Sequence, residues 1–335
     1  MKKRTGIAAS AVATLAAIWS LSGGAPPALS AFANQSPLVE HVVPPLATDP
    51  RIAQAFDDHS AWFNSSARTN HQLFLYLPGT DGVPGNALLI QEMAARLGYH
   101  VIGLMYPDAA PANFASIVPA CAAQPDGNAC DYATRLEILT GTAQTGSVMN
   151  VGVADGIANR LTTVLEYLDA NYPAEGWSQF LADGKPRWSA IAATGLSLGG
   201  GEAAFIGALH VLARVVMFSA ITANYGGRPP TWESTSHLTP TDRYWGLAHD
   251  QDPAYPHILL SWAALGLDAF GSPPEQVENS QPPYSSTHEL FTDLRPQRED
   301  YKAAHPSTVI DFYTPLNKDG TPTLGDARQY LMTAH

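Results

Sequence analysis

A mostly parallel, doubly wound α/β sheet is the fold this sequence predicts, and three observations predict it. From about residue 72 onward, short apolar runs alternate with amphipathic segments, the pattern of repeated strand–helix–strand units. Most of those runs are apolar on both faces, as strands covered by helices above and below must be. Hydrophobic residues make up 45% of the 335-residue chain and charged residues only 14%, which is enough apolar material for one large core.

The elements follow in chain order. Lys2, Lys3 and Arg4 form a basic start, and an alanine-rich apolar run follows over residues 7–21. Ala31-Phe32-Ala33 then supplies an A-x-A site, so residues 1–33 read as a signal peptide. Residues 34–335 read as one domain, exported to the periplasm or the medium. Residues 34–70 are irregular, with an edge strand expected around 38–43. The strands expected next are QLFLYL (72–77), HVIGLMY (100–106), SAIAATGL (189–196), RVVMFSAI (214–221), RYWGLAH (243–249) and HELFTDL (288–294).

Helices are expected between them. Over 86–97, Leu88, Leu89, Met93 and Leu97 recur at helical spacing. Over 154–170, Ile157, Leu161, Val164, Leu165 and Leu168 share one face. Further helices are expected over 200–212, 258–267 and 324–332. Three segments rich in Pro, Gly and Ser, at 108–153, 222–242 and 271–287, read as long loop insertions.

Charge and cysteine content narrow the function class. The net charge is −12, and loss of Lys2, Lys3 and Arg4 with a leader would take it to −15. Such an acidic surface argues against nucleic acid and anionic membranes as partners. No apolar run after the leader reaches the roughly 18 residues of a membrane span. The two cysteines, Cys121 and Cys130, flank a turn-forming Pro125-Asp126-Gly127-Asn128. In an oxidising compartment they read as a disulfide that staples a loop. They lack the spacing of a redox or zinc site, and no metal or nucleotide motif occurs elsewhere.

The chemistry centres on Gly195-Leu196-Ser197-Leu198-Gly199, a G-x-S-x-G with a good strand before it and a good helix after it. A sharp bend there lifts the serine hydroxyl from the sheet edge, and flanking glycines are required where strand and helix pinch together. The helix N-terminus favours developing negative charge. Ser197 therefore reads as a nucleophile.

On these residues, with their strand–turn–helix context, the sequence resembles the α/β-hydrolase family over about residues 70–315. The resemblance implies a serine, then an acid, then a histidine in chain order. RYWGLAH runs into Asp250-Gln251-Asp252-Pro253, so the acid is Asp252, with Asp250 as its rival. His305 follows the last strand and is the implied base; His288 begins that strand, on the wrong side of the sheet. The oxyanion hole is expected from the N–H of Leu198 and an N–H of the loop LPGTDGVPGN, at Thr80 or Asp81. The lipase-type HGGG is absent.

The function implied is hydrolysis of carboxylic esters through an acyl-enzyme, with a small-molecule or polymeric ester as substrate and no cofactor. The same frame also carries peptidases and acyltransferases, and a non-catalytic secreted binding module is the alternative from another class.

Overall fold

The computed structural model describes residues 38–271, 273–298, 300 and 302–334. The expected leader and its Ala31-Phe32-Ala33 site lie outside them. In chain order the strands are β1 (Val39–Val43), β2 (His59–Phe63), β3 (Leu73–Leu77), β4 (His100–Gly103), β5 (Leu181–Ala182), β6 (Lys185–Pro186), β7 (Ile191–Leu196), β8 (Arg214–Phe218), β9 (Tyr244–His249), β10 (Glu275–Gln276) and β11 (Glu289–Thr292). The helices are α1 (Pro45–Thr48), α2 (Leu88–Arg96), α3 (Ile117–Ala122), α4 (Gly127–Thr140), α5 (Ile157–Asn171), α6 (Leu198–Leu209), α7 (Tyr255–Leu265), α8 (Ala304–Ser307) and α9 (Gly325–Thr333).

One large sheet runs in the order β1-β2-β4-β3-β7-β8-β9-β11-β10, and β5 and β6 form a separate hairpin. β2 runs against both its neighbours; every other pairing in the large sheet is parallel. Strand β3 explains why the central runs are apolar throughout. Leu73, Leu75 and Leu77 point into a core shared with α5, α6 and α7, whereas Phe74 and Tyr76 point into a second core under α2 and α9. A mostly parallel sheet with helices on both faces and a strand–serine–helix bend at its carboxyl edge is an α/β-hydrolase fold, as the sequence predicted.

The structure adds elements to those expected, among them the short α1, the β5–β6 hairpin and β10 within 271–287. β2 was not anticipated in the irregular stretch 34–70. The insertion at 108–153 is not a plain loop: it contains α3 and the 14-residue α4. Helix α4 carries ordinary boundary signals, since the Asp126 carboxylate caps the Ala129 amide and Gly141 ends it with φ of 67°. Its apolar periodicity is broken because Asp131, Arg135 and Glu137 are buried polar residues. Buried ionic pairs thus share this helix's inner face with Ile138 and Leu139 of the core.

Candidate active site

Ser197 sits in the bend between β7 and α6 at φ 52° and ψ −113°, a conformation rarely open to a residue with a side chain. Its surroundings hold it there. The Ser197 N–H donates to Phe218 O at 3.0 Å, and its carbonyl accepts from the Gly201 N–H at 2.9 Å. The flanking glycines are sterically required: a Cβ on Gly195 would lie 2.5 Å from Leu77 O, and one on Gly199 would lie 2.0 Å from the same oxygen. As first residue of α6, Leu198 has an amide with no intrahelical acceptor.

The expected acid and base meet. Asp252 follows β9 and is buried, and its Oδ2 lies 2.5 Å from His305 Nδ1. Its other oxygen accepts from the Ala254 N–H at 2.9 Å. This contact engages Nδ1 and leaves His305 Nε2 without a hydrogen-bond partner among the described residues. The imidazole is about a quarter exposed, with 26% of its side chain accessible against 2% for Asp252. Asp250 stands elsewhere. Its carboxylate accepts from Gln251 Nε2 at 3.1 Å and lies 3.4 Å from His249 Nδ1.

His305 lies within α8, a single helical turn. Its carbonyl accepts from the Ser219 hydroxyl at 2.7 Å, and Ser219 Oγ also lies 3.1 Å from Thr308 Oγ1. Ser219 follows Phe218, which accepts the Ser197 amide. Two backbone-anchored hydrogen bonds thus tie the serine bend and the histidine turn to the same carboxyl end of β8. Buried Arg328 secures the turn from α9 by donating to Thr308 O at 2.9 Å and Thr314 Oγ1 at 2.7 Å. Sequence reasoning missed Ser219 and Arg328, since neither belongs to a motif.

The loop after β3 borders the serine. A Cβ on Gly79 would lie 3.4 Å from Ser197 Cβ. A turn closed by the Gly82 N–H to Gly79 O, at 2.8 Å, presents Thr80 and Asp81. The two residues expected as rival donors differ. The Asp81 N–H is engaged by Asp108 O at 3.2 Å, whereas the Thr80 N–H has no partner among the described residues.

Beneath the bend, Arg135 from α4 lies against α6, and a Cβ on Gly201 would be 2.6 Å from its Nη1. Arg135 does not pair with nearby Glu137. It donates to Asp131 at 3.0 Å and Glu202 at 2.8 Å, while Glu137 accepts from the Gln144 and Val151 amides. Asp131 also accepts from Trp232 Nε1 and the Tyr225 hydroxyl, so these two aromatics anchor the 222–242 loop to α4. Asp131 accepts from three donors, Arg135 Nε, the Tyr225 hydroxyl and Trp232 Nε1. Glu202 has one donor and a buried Oε2 with none, and burial pushes its carboxyl up to about 8. Cys121 and Cys130 form a disulfide that joins α3 to α4.

His288 is remote from this chemistry. It is buried at the amino end of β11, between Trp245 and Phe270, and burial lowers it to about 4. It borders a cavity of about 890 Å³ with Arg214 and Arg243, at the sheet edge opposite Ser197. Among the described residues, no group of His, Cys, Asp and Glu could hold a metal ion, and no helix is long and apolar enough to cross a membrane.

No family model matches the chain, and no curated protein matches it. Among solved structures it is similar to a double mutant of the esterase E40, at 13% identity and a TM-score of 0.40 over 90% of this chain and 86% of that one. It is also similar to a bacterial heroin esterase, at 13% identity and a TM-score of 0.34 over 78% and 77%. A third likeness is to TT1662 from Thermus thermophilus, at 14% identity and a TM-score of 0.35 over 70% and 82%. The fold assignment rests on the sheet order and the serine bend described above.

Proposed function

We propose that the protein is an exported serine hydrolase that cleaves carboxylic esters through an acyl-enzyme on Ser197. One observation carries the reading: a buried carboxylate lies 2.5 Å from a partly exposed imidazole, on a turn bonded to the same end of β8 as the strained Ser197 bend. A serine hydroxyl is a poor nucleophile without a base, and a base needs its tautomer fixed.

In this mechanism His305 Nε2 takes the Ser197 proton as Oγ attacks the ester carbonyl. Asp252 stabilises the imidazolium. The amides of Leu198 and Thr80 receive the oxyanion, aided by the N-terminus of α6. His305 then returns the proton to the departing alcohol. Water, deprotonated by the same imidazole, attacks the acyl group, and the acid leaves as Ser197 regains its proton. The Cys121–Cys130 disulfide fits an oxidising compartment and supports export.

Hydrolysis of chromogenic acyl esters by the wild type and by Ser197→Ala tests the reading. Turnover by the wild type that vanishes in the variant supports it. Equal turnover by both, or none by the folded wild type across short and long acyl chains, contradicts it.

A further inference from the structure

The geometry points to Asp81 as a positioning residue that holds the Thr80 amide toward Ser197. This inference rests on the ester-hydrolase reading and adds to it.

Three observations converge on Asp81. Its N–H donates to Asp108 O at 3.2 Å, and its Oδ1 accepts from the Ala110 N–H at 3.0 Å. The residue therefore clasps one strand end to another, joining the loop after β3 to the segment after β4. Asp108, the fixed side of the clasp, is only 1% exposed. The backbone of Asp81 is left-handed, with φ of 56°. A short acidic or amide side chain tolerates that conformation where most others resist it.

The consequence falls on the neighbouring residue. The turn from Gly79 to Gly82 is closed by its own hydrogen bond at one end and by the Asp81 clasp at the other. Thr80 lies between these restraints, with its amide unpartnered, one residue from the Gly79 backbone that abuts Ser197. An oxyanion donor is effective only when already aimed at the position where charge develops. Misplacement of a reacting group by about 1 Å costs on the order of 100-fold in rate. Asp81 itself cannot be the donor, since its amide is engaged; it acts through Thr80.

Asp81 is exposed, so its replacement leaves the core intact. Kinetics of Asp81→Gly, Asp81→Ala and Asp81→Asn on a chromogenic ester separate the possibilities. Glycine accepts the left-handed backbone but lacks the Oδ1 acceptor; asparagine keeps both. Asp81→Gly and Asp81→Ala should lose about 10- to 100-fold in kcat with KM little changed, and Asp81→Asn should recover most of the wild-type kcat. Melting temperatures of Asp81→Gly and Asp81→Asn should match that of the wild type. Wild-type kcat in Asp81→Gly overturns the inference, as does an equal loss in Asp81→Gly and Asp81→Asn. Ser197→Ala serves as the reference: if it remains active, the hydrolase reading fails, independently of what the Asp81 variants do.

Discussion

Asp252 Oδ2 and His305 Nδ1 meet at 2.5 Å, although 53 positions separate the two residues in the chain. Asp252 is held for this contact by the turn that follows β9, where its amide donates to His249 O at 3.0 Å and its Oδ1 accepts from Ala254. Replacing it with asparagine puts an N–H₂ or a neutral oxygen against Nδ1 and removes the charge that stabilises imidazolium. Asp252→Asn should lower kcat by about 10⁴-fold with a small change in KM. Asp250→Asn, whose carboxylate lies beside His249 and Gln251, should stay within about threefold of the wild type. Steady-state kinetics of the pair test the assignment; the reverse ranking contradicts it.

Glu202 predicts a pH effect on stability. Burial raises its carboxyl from the ordinary 4.5 to about 8 in the folded chain. The folded state then binds the proton more tightly than the unfolded state does. Stability from this group is complete below about pH 4.5 and is lost as pH rises through about 8. Glu202→Gln cannot ionise, so urea unfolding should show a flatter dependence for the variant across that window. Parallel curves for the two proteins would mean that Glu202 is ionised in the folded chain.

The disulfide predicts a thermal effect. It closes a short loop, with a sequence separation of 9. By chain entropy, its loss should destabilise the protein by about 2.5 kcal/mol. Calorimetry with and without reductant measures this in the wild type, and the Cys121→Ala/Cys130→Ala variant should be insensitive to reductant. An unchanged melting temperature in the reduced wild type contradicts the prediction.

The serine bend predicts a steric effect. A Cβ at Gly199 would meet Leu77 O at 2.0 Å and Pro78 O at 2.4 Å, both backbone atoms that cannot yield. Gly199→Ala should cost about 3 kcal/mol or more, and Gly85→Ala, with open space around it, should be close to neutral. Chemical denaturation of the two variants checks the contrast.

Much of the fold was legible because the central strands are apolar on both faces and alternate with amphipathic helices. The glycine-flanked serine was legible because its sterics demand those residue types. Asp252 and His305 needed more: periodicity locates the strands they follow, but only chain order in a resembling family selects them. Helix α4 escaped notice because its buried face mixes apolar residues with ionic ones, which are satisfied by Glu202 and by the Tyr225–Trp232 loop more than sixty positions away. The clasp on Asp81 was equally hidden. A residue's sequence context does not reveal that a distant carbonyl already occupies its amide.

The central claim is that Ser197 is a nucleophile activated by His305, and the most direct measurement is the intact mass of the protein after reaction with a fluorophosphonate, followed by peptide mapping. The account predicts a single adduct on Ser197, absent from Ser197→Ala and formed far more slowly in His305→Ala. A folded wild type that stays unlabelled, or an adduct on another residue, would contradict it.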